Sequence, residues 1–424
     1  MFLDPLAAIG YCAFFIAVIL LTMRRAAYAV CALIAVQPFA LYQIVESLQI
    51  TLPKVTLVAV LIGLLAYRDA FAPVGERAPW RIATAGMLVL GATLFTLGHA
   101  TYRDPVLRES LKALEYVVLF CTVVAAYRLD PDRRSVRAAI FCTSIAVALL
   151  ALGQEIVGST SAMLLNGHAV PRIAGPLEGP NQLAGYFDVA LPLTLAFAIE
   201  EPAVLAYIAL AVIVLADVLT FSRGGIIGGI AGIATVALIA RKNLRAAFTS
   251  IGIGLAGGII VALFWGLAAH TMGLERFWDF RESDYGGGVG TRTELWHAAW
   301  TLWLRHPVFG VGAGNFELEI PLTGLHGVRT HANSLYLQSL VEGGIVLFAA
   351  TLWLVYTSIA TFAREQLRSP LILGALAASI ALALHQVVDL LTFYPKVGGE
   401  WWIAMGLGAA ELAVAARIGR AVCA

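Results

Sequence analysis

The sequence predicts an all-α polytopic membrane protein with about twelve transmembrane helices (twelve to thirteen) and one large, partly helical loop. Three observations predict it. Of 424 residues, 60% are hydrophobic and only 13% are charged, against roughly 25% charged in a soluble domain. The shortfall runs along the whole chain, which means many spans and not a single anchor. Apolar runs, most of them close to the ~20 residues that cross a hydrocarbon core, recur between short basic links.

The runs lie near 6–22, 27–46, 54–67, 82–99, 109–127, 135–157, 182–199, 203–220, 224–240, 247–270, 334–361, 370–391 and 401–418. The third is short for a full span. The first has no basic stretch before it and has Arg24 and Arg25 after it, the reverse of a signal sequence, so no cleavable signal is expected. Basic links fall at Arg24-Arg25, Arg68 to Arg81, Arg128 to Arg137, Arg241-Lys242-Arg245 and Arg364 to Arg368. They recur at every second loop, which puts them on the cytoplasmic side. The opposite side then carries 47–53, 100–108, 158–181, 221–223, the long loop and 392–400. The parity of the early spans decides where the N-terminus lies, and the sequence leaves it open. Three regions follow: N-terminal helices over 1–270, the outer loop over 271–333 and C-terminal helices over 334–424.

Net charge is +1, so nothing points to a nucleic-acid partner. Cys12, Cys31, Cys121 and Cys142 fall within apolar runs and Cys423 near the C-terminus, so neither a disulfide nor a thiolate metal site is expected. In the loop, Thr291 and Glu294 form a capping box, which predicts a helix to about Arg305, ending before Pro307. Trp296, Trp300 and Trp303 recur on it at helical spacing. They suit either a membrane interface or packing against neighbouring helices.

Charge placed where charge is costly carries the chemical signal. Arg223, in Phe221-Ser222-Arg223-Gly224-Gly225, sits in a very short outer link at the start of a helix. Free N–H groups and the helix dipole favour an anion there, although such an arginine can also snorkel to lipid phosphate. Arg292 repeats the arrangement at the start of the loop helix. Arg172 precedes Gly179-Pro180-Asn181-Gln182, which opens another span. Three outer arginines suggest a phosphate-rich ligand, since guanidinium binds phosphate bidentately and stays charged. His331 lies where the loop re-enters the membrane, and an ordinary imidazole suits a general base near neutral pH. Asn333 suits a helix cap or sugar hydroxyls. Lys54, Arg108, Lys112 and Glu115 stand near outer span ends, where they snorkel or meet substrate. His385 and Asp389 are spaced to pair with each other within one span. Gly310-Val311-Gly312-Ala313-Gly314-Asn315 lacks the Lys-Ser/Thr of a P-loop and reads as a tight turn. Glu282 and Asp284 read as a solvated acidic loop before a divalent-cation site.

The ordered set of the Ser222-Arg223-Gly224-Gly225 turn, the Gly290-Thr291-Arg292 helix start, the glycine turn ending at Phe316 and the His331-Ala332-Asn333-Ser334 re-entry resembles the bacterial O-antigen ligase and polymerase superfamily. The likeness is densest from Arg172 to Gly344. It implies a metal-independent, cofactor-free, inverting glycosyltransferase of the inner membrane with its active site on the periplasmic face. The implied donor is a glycan on undecaprenyl diphosphate, and the acceptor of the ligases is the lipid A–core oligosaccharide, which completes lipopolysaccharide. Arg223, Arg292 and His331 correspond to the family's catalytic residues. Arg172, Asn333, Asn181, Lys54 and Lys112 are expected to contact substrate. A polymerase with a growing glycan as acceptor is the nearest alternative, and a protein-directed oligosaccharyltransferase is related. A transporter or flippase would place its functional charges at mid-membrane and show a repeat; here they gather on one face and no repeat is found.

Overall fold

The computed structural model describes residues 5–39, 43–45, 50–72, 75–156, 161–165, 168–240, 244–268, 292–364 and 369–423. Each of the thirteen apolar runs falls on a helix. Before the long loop these are α1 (Pro5–Arg24), α2 (Ala26–Val36), α3 (Leu52–Leu64), α4 (Arg77–Phe95), α5 (Arg103–Leu129), α6 (Arg133–Ile156), α7 (Pro180–Glu200), α8 (Val204–Leu219), α9 (Arg223–Ile239) and α10 (Leu244–Ala268). The loop contributes α11 (Arg292–Arg305) and the single turn α12 (Phe316–Glu319). The chain closes with α13 (Leu335–Ala363), α14 (Pro370–His385) and α15 (Pro395–Cys423). Among the described residues seven helices are long and apolar enough to cross a membrane, and six shorter apolar helices accompany them. The protein is an all-α, multi-pass membrane protein, to which two short antiparallel hairpins are added: β1 (Gln43–Val45) with β2 (Ile50–Thr51), and β3 (Ser161–Leu165) with β4 (His168–Arg172).

Some boundaries differ from the hydropathy reading. The run 27–46 stays helical only to Val36, because Pro38 supplies no N–H to continue the ladder. The run 370–391 stops at His385. The carbonyls of Gln386 and Asp389 turn away to accept the N–H of Leu335, at 3.0 Å each, and so tie the next segment to the start of α13.

Helix α7 is the centre of the bundle and is buried from Leu183 to Ile199. Against it lies α9, whose glycines recur every three or four residues. A Cβ on Gly225 would stand 2.5 Å from the Ala184 Cβ, one on Gly228 2.5 Å from an Asp188 carboxylate oxygen and one on Gly232 2.7 Å from Pro192. Lipid is as apolar as a leucine, so helices associate in it through close backbone packing, which small residues permit.

The glycine turn enters a break in α13. Gly344 has φ +59°, which frees carbonyls of the preceding turn. Val311 N–H bonds to Val341 O at 2.9 Å and Gly312 N–H to Glu342 O at 2.8 Å. Gly310, Gly312 and Gly314 all have positive φ, so the expected tight turn is what forms. A second, smaller core gathers Leu295, Leu302, Phe316, Ile320 and Val341 and holds α11 on this turn. Trp303 packs on that core, whereas Trp300 is half exposed, with its ring centre 4.6 Å from that of Trp303. Thr291, the expected N-cap, and the acidic pair Glu282 and Asp284 lie outside the described residues.

Candidate active site

Two of the flagged residues, Asn181 and Arg292, meet on one carboxylate, and a third, Arg172, is joined to it through Asn181. Arg172 ends β4, and its side chain is almost wholly buried. Its Nε donates to Thr220 O at 2.6 Å and a terminal nitrogen donates to Asn181 Oδ1 at 2.8 Å. Asn181, in the first turn of α7, donates through Nδ2 to Asp389 Oδ2 at 2.8 Å. The same carboxylate oxygen lies 3.6 Å from a terminal nitrogen of Arg292. The N–H of Leu390 donates to the other carboxylate oxygen at 2.8 Å. Asp389 therefore ties together residues that are far apart in sequence and orients two guanidiniums.

Asp389 does not pair with His385, contrary to the spacing argument. Helix α14 ends at His385, so the one-turn offset that would bring the two side chains together is lost. His385 Nδ1 instead meets Asp188 Oδ2 at 2.5 Å, with both side chains buried. The outer surface of this buried pair is the start of α9. A Cβ on Gly224 would fall 2.4 Å from the His385 ring. Arg223 is the first residue of α9, where Ser222 caps the helix by accepting the Gly225 N–H at 3.3 Å. Thr220, whose carbonyl holds Arg172, is three residues earlier, which places Arg223 at the same end of the bundle.

Arg292 opens α11. Its Nε and the Trp296 Nε1, one turn along, are buried donors with no hydrogen-bond partner among the described residues. Unpaired buried donors are costly. One on the guanidinium itself and one a helical turn along mark a place where an acceptor-rich ligand would satisfy them.

His331 stands on the neighbouring edge. Its ring lies 4.0 Å from that of Phe393 and meets Tyr394 edge-on at 6.4 Å. The Lys112 ammonium sits 3.7 Å from the centre of the Phe393 ring and donates to Phe393 O at 3.0 Å and to Glu109 at 2.8 Å. Burial, with help from the Lys112 charge and against the pull of Asp389, lowers the His331 pKa to about 4. The imidazole is thus neutral near pH 7. The backbone behind it is fixed: Ala332 N–H donates to Gln338 Oε1 at 2.7 Å, and Gln338 Nε2 donates to Glu342 at 2.7 Å. Ser334, not Asn333, caps α13, because it is Ser334 Oγ that accepts the Leu337 N–H. Asn333 occupies the left-handed region at φ +48°, a conformation that asparagine tolerates better than most residues.

Next to His331 a cavity of about 150 Å³ runs between α4, α5, α13 and α15. Glu109, Lys112, Gln338, Glu342 and Thr392 are among its polar lining, and Leu354, Phe393 and Trp402 belong to its apolar wall. Lys54 lies outside this cluster and pairs with Glu115 at 3.5 Å.

The sequence reading passed over Asp188, Gln338, Glu342 and Phe393. Asp188 and Glu342 are ionisable residues inside apolar spans, and that rule alone flags them. Nothing local distinguishes Gln338 or Phe393.

Residues 208–352 match the protein family described as O-antigen ligase. That stretch, about a third of the chain, is similar to the O-antigen ligase family. That family covers ligases and polymerases, membrane enzymes of the glycosyltransferase kind that act on lipid-linked glycans. The matched stretch holds Arg223, Arg292, His331 and Asn333. The fold supplies Arg172, Asn181, Lys112 and Asp389 from outside it. No curated protein matches the chain.

Proposed function

We propose that the protein is an O-antigen ligase of the bacterial inner membrane, with twelve or thirteen spans and its active site on the periplasmic face. In this reading it transfers a glycan from undecaprenyl diphosphate to the lipid A–core oligosaccharide. The observation that carries the reading is the network in which Arg292 meets Asp389 and Arg172 is joined to it through Asn181, next to the α9 start that bears Arg223, with a neutral His331 alongside. Arg172, Arg223 and Arg292 bring positive charge to this end of the bundle, as an anionic diphosphate diester requires. In a site shielded from water such preorganised charges stabilise a leaving group strongly and can do the work a metal does elsewhere.

The chemistry follows in a single displacement. An acceptor hydroxyl oxygen attacks the anomeric carbon of the donor sugar as the bond from that carbon to the diphosphate oxygen breaks, which inverts the centre. His331 takes the hydroxyl proton, and the diphosphate leaves with the bonding pair. Arg223, Arg292 and the Trp296 N–H hold the diphosphate, and Asn333 faces the sugars. Arg172, Asn181 and Asp389 act through position, because their polar atoms are already engaged with one another. The apolar cavity beside His331 suits a lipid chain, with the Lys112 end turned toward the phosphates.

A polymerase shares this donor and this chemistry and differs in its acceptor. Deleting the gene decides between them. Loss of the ligase leaves polymerised, lipid-linked glycan and uncapped core on a gel. Core bearing a single repeat unit instead would identify a polymerase.

A further inference from the structure

We infer that a second site, at the opposite end of the α4/α13 pair, binds the phosphodiester head of an anionic phospholipid. Helix α4 starts far from the candidate active site and runs toward it. At its C-terminal end His99 Nε2 meets Phe309 O at 2.9 Å and Thr96 Oγ accepts the Ala313 N–H at 3.1 Å, next to the glycine turn. Arg81 and Thr84, near its other end, are therefore ~18–22 Å away, at 1.5 Å per residue, on the side of the basic links. There α4 and the last turns of α13 enclose a cavity of about 270 Å³. Arg81 and Thr84 line it from α4, and Trp353, Tyr356, Thr357 and Arg364 line it from α13.

Three features point to a ligand. Neither guanidinium is in an ion pair or hydrogen bond among the described residues, so two cations face one cavity without a counter-charge. Thr357 is only 6% exposed, and its hydroxyl is buried without a partner. A helical threonine commonly bonds back to the preceding turn. Thr84 in α4 and Thr351 and Ser358 in α13 show such bonds, whereas Thr357 does not. Finally, Trp353 and Tyr356 stand side by side with ring centres 5.6 Å apart, 51% and 58% exposed. Exposed tryptophan and tyrosine belong at headgroup depth, with the ring in the acyl region and the polar atom in water.

A phosphodiester offers what this set lacks: negative charge for Arg81 and Arg364 and an acceptor oxygen for Thr357. Basic pockets between transmembrane helices are the usual form of such sites. One water takes ~30 Å³ of liquid, so the cavity suits a small headgroup and is too small for a folded segment. Acyl chains would leave it along the exposed aromatic pair. A free phosphate would satisfy the arginines and the threonine equally well but would gain nothing from Trp353 and Tyr356, which is why the lipid is preferred. The alternative account is two arginines that snorkel to bulk lipid with no defined site.

Native mass spectrometry of the purified full chain tests the site with three probes: dioleoyl phosphatidylglycerol, dioleoyl phosphatidylcholine and inorganic phosphate. The wild type should retain one phosphatidylglycerol in preference to phosphatidylcholine, and inorganic phosphate should not displace it. Arg81→Ala with Arg364→Ala should weaken retention at least tenfold. Thr357→Val keeps shape and charge and should still weaken it about tenfold, as expected for a lost hydrogen bond to a charged group. Arg24→Ala with Arg134→Ala removes the same charge from exposed positions on the same side and should change retention little. Equal retention of the two lipids overturns the proposal, as does an equal loss in the control pair or an unaffected Thr357→Val. Full displacement by inorganic phosphate would make the ligand a free anion and overturn the lipid assignment.

Discussion

The pH dependence of transfer distinguishes a buried general base from an ordinary surface histidine. Protonated His331 cannot accept the acceptor's proton, so kcat/KM should fall on the acid side with the pKa of the free enzyme's base. Burial first, and the Lys112 charge second, place that pKa at about 4, below the ordinary 6.5. At pH 5.5 a base of pKa 4 is about 97% neutral, whereas one of pKa 6.5 is about 9% neutral. The two cases differ about tenfold in rate at that pH relative to their plateaus. The assay is glycan transfer by purified enzyme in liposomes at low donor concentration, from pH 4.5 to 8. Both phosphates of a diphosphate diester ionise well below this window and add no limb of their own. The wild type should stay close to its plateau at pH 5.5. Lys112→Met removes a charge that opposes protonation, so its acid limb should move to higher pH. It should stop short of 6.5, since burial is the larger cause and remains. His331→Ala should lose ~10²–10⁴-fold in turnover, the usual contribution of a general base, and should show no limb of this origin. A wild-type midpoint near 6.5, or the same limb in His331→Ala, would refute the reasoning.

Two further outcomes are expected. Arg292→Ala and Arg223→Ala should each abolish transfer while the protein still inserts and purifies, and Lys at either position should rescue only part of the rate, because an ammonium lacks the bidentate fork; full activity in the double Ala variant would remove the arginines from the site. Gly344→Ala should lower the thermal midpoint in detergent. Its φ is +59° and the added Cβ would stand 2.2 Å from Val308 O, and holding a non-glycine residue in such a conformation costs about 1–3 kcal/mol before any clash. An unchanged midpoint would show that the α13 break does not depend on this glycine.

The lipid inference bears on how the enzyme sits in its membrane. Arg81 and Arg364 close one end of the α4/α13 pair, while the other end borders the cavity next to His331. A phospholipid bound between these helices would fix their spacing at a distance from the chemistry.

Much of this protein was legible in the sequence, because hydrocarbon imposes one strict rule: every backbone polar group must be satisfied within its own segment. Sustained apolarity therefore reads directly as helix, and all thirteen runs became helices. The same rule makes a charge in a short link between spans conspicuous, which is how Arg223 stood out, with Arg292 and Arg172 gaining weight beside it. Helix starts were legible too, since Arg223 and Arg292 open α9 and α11 as the local pattern implied. Partnership was not legible. The spacing of His385 and Asp389 implied a pair, yet one unwound turn sent His385 to Asp188 on α7 and Asp389 to Asn181 and Arg292. His331 offered only an ordinary imidazole until Phe393, Lys112 and the loop after α14 enclosed it. Hydropathy records how a residue prefers lipid or water, one position at a time. Which charge neutralises which, and how dry a base becomes, depends on groups brought together from distant helices, and only the tertiary packing determines that.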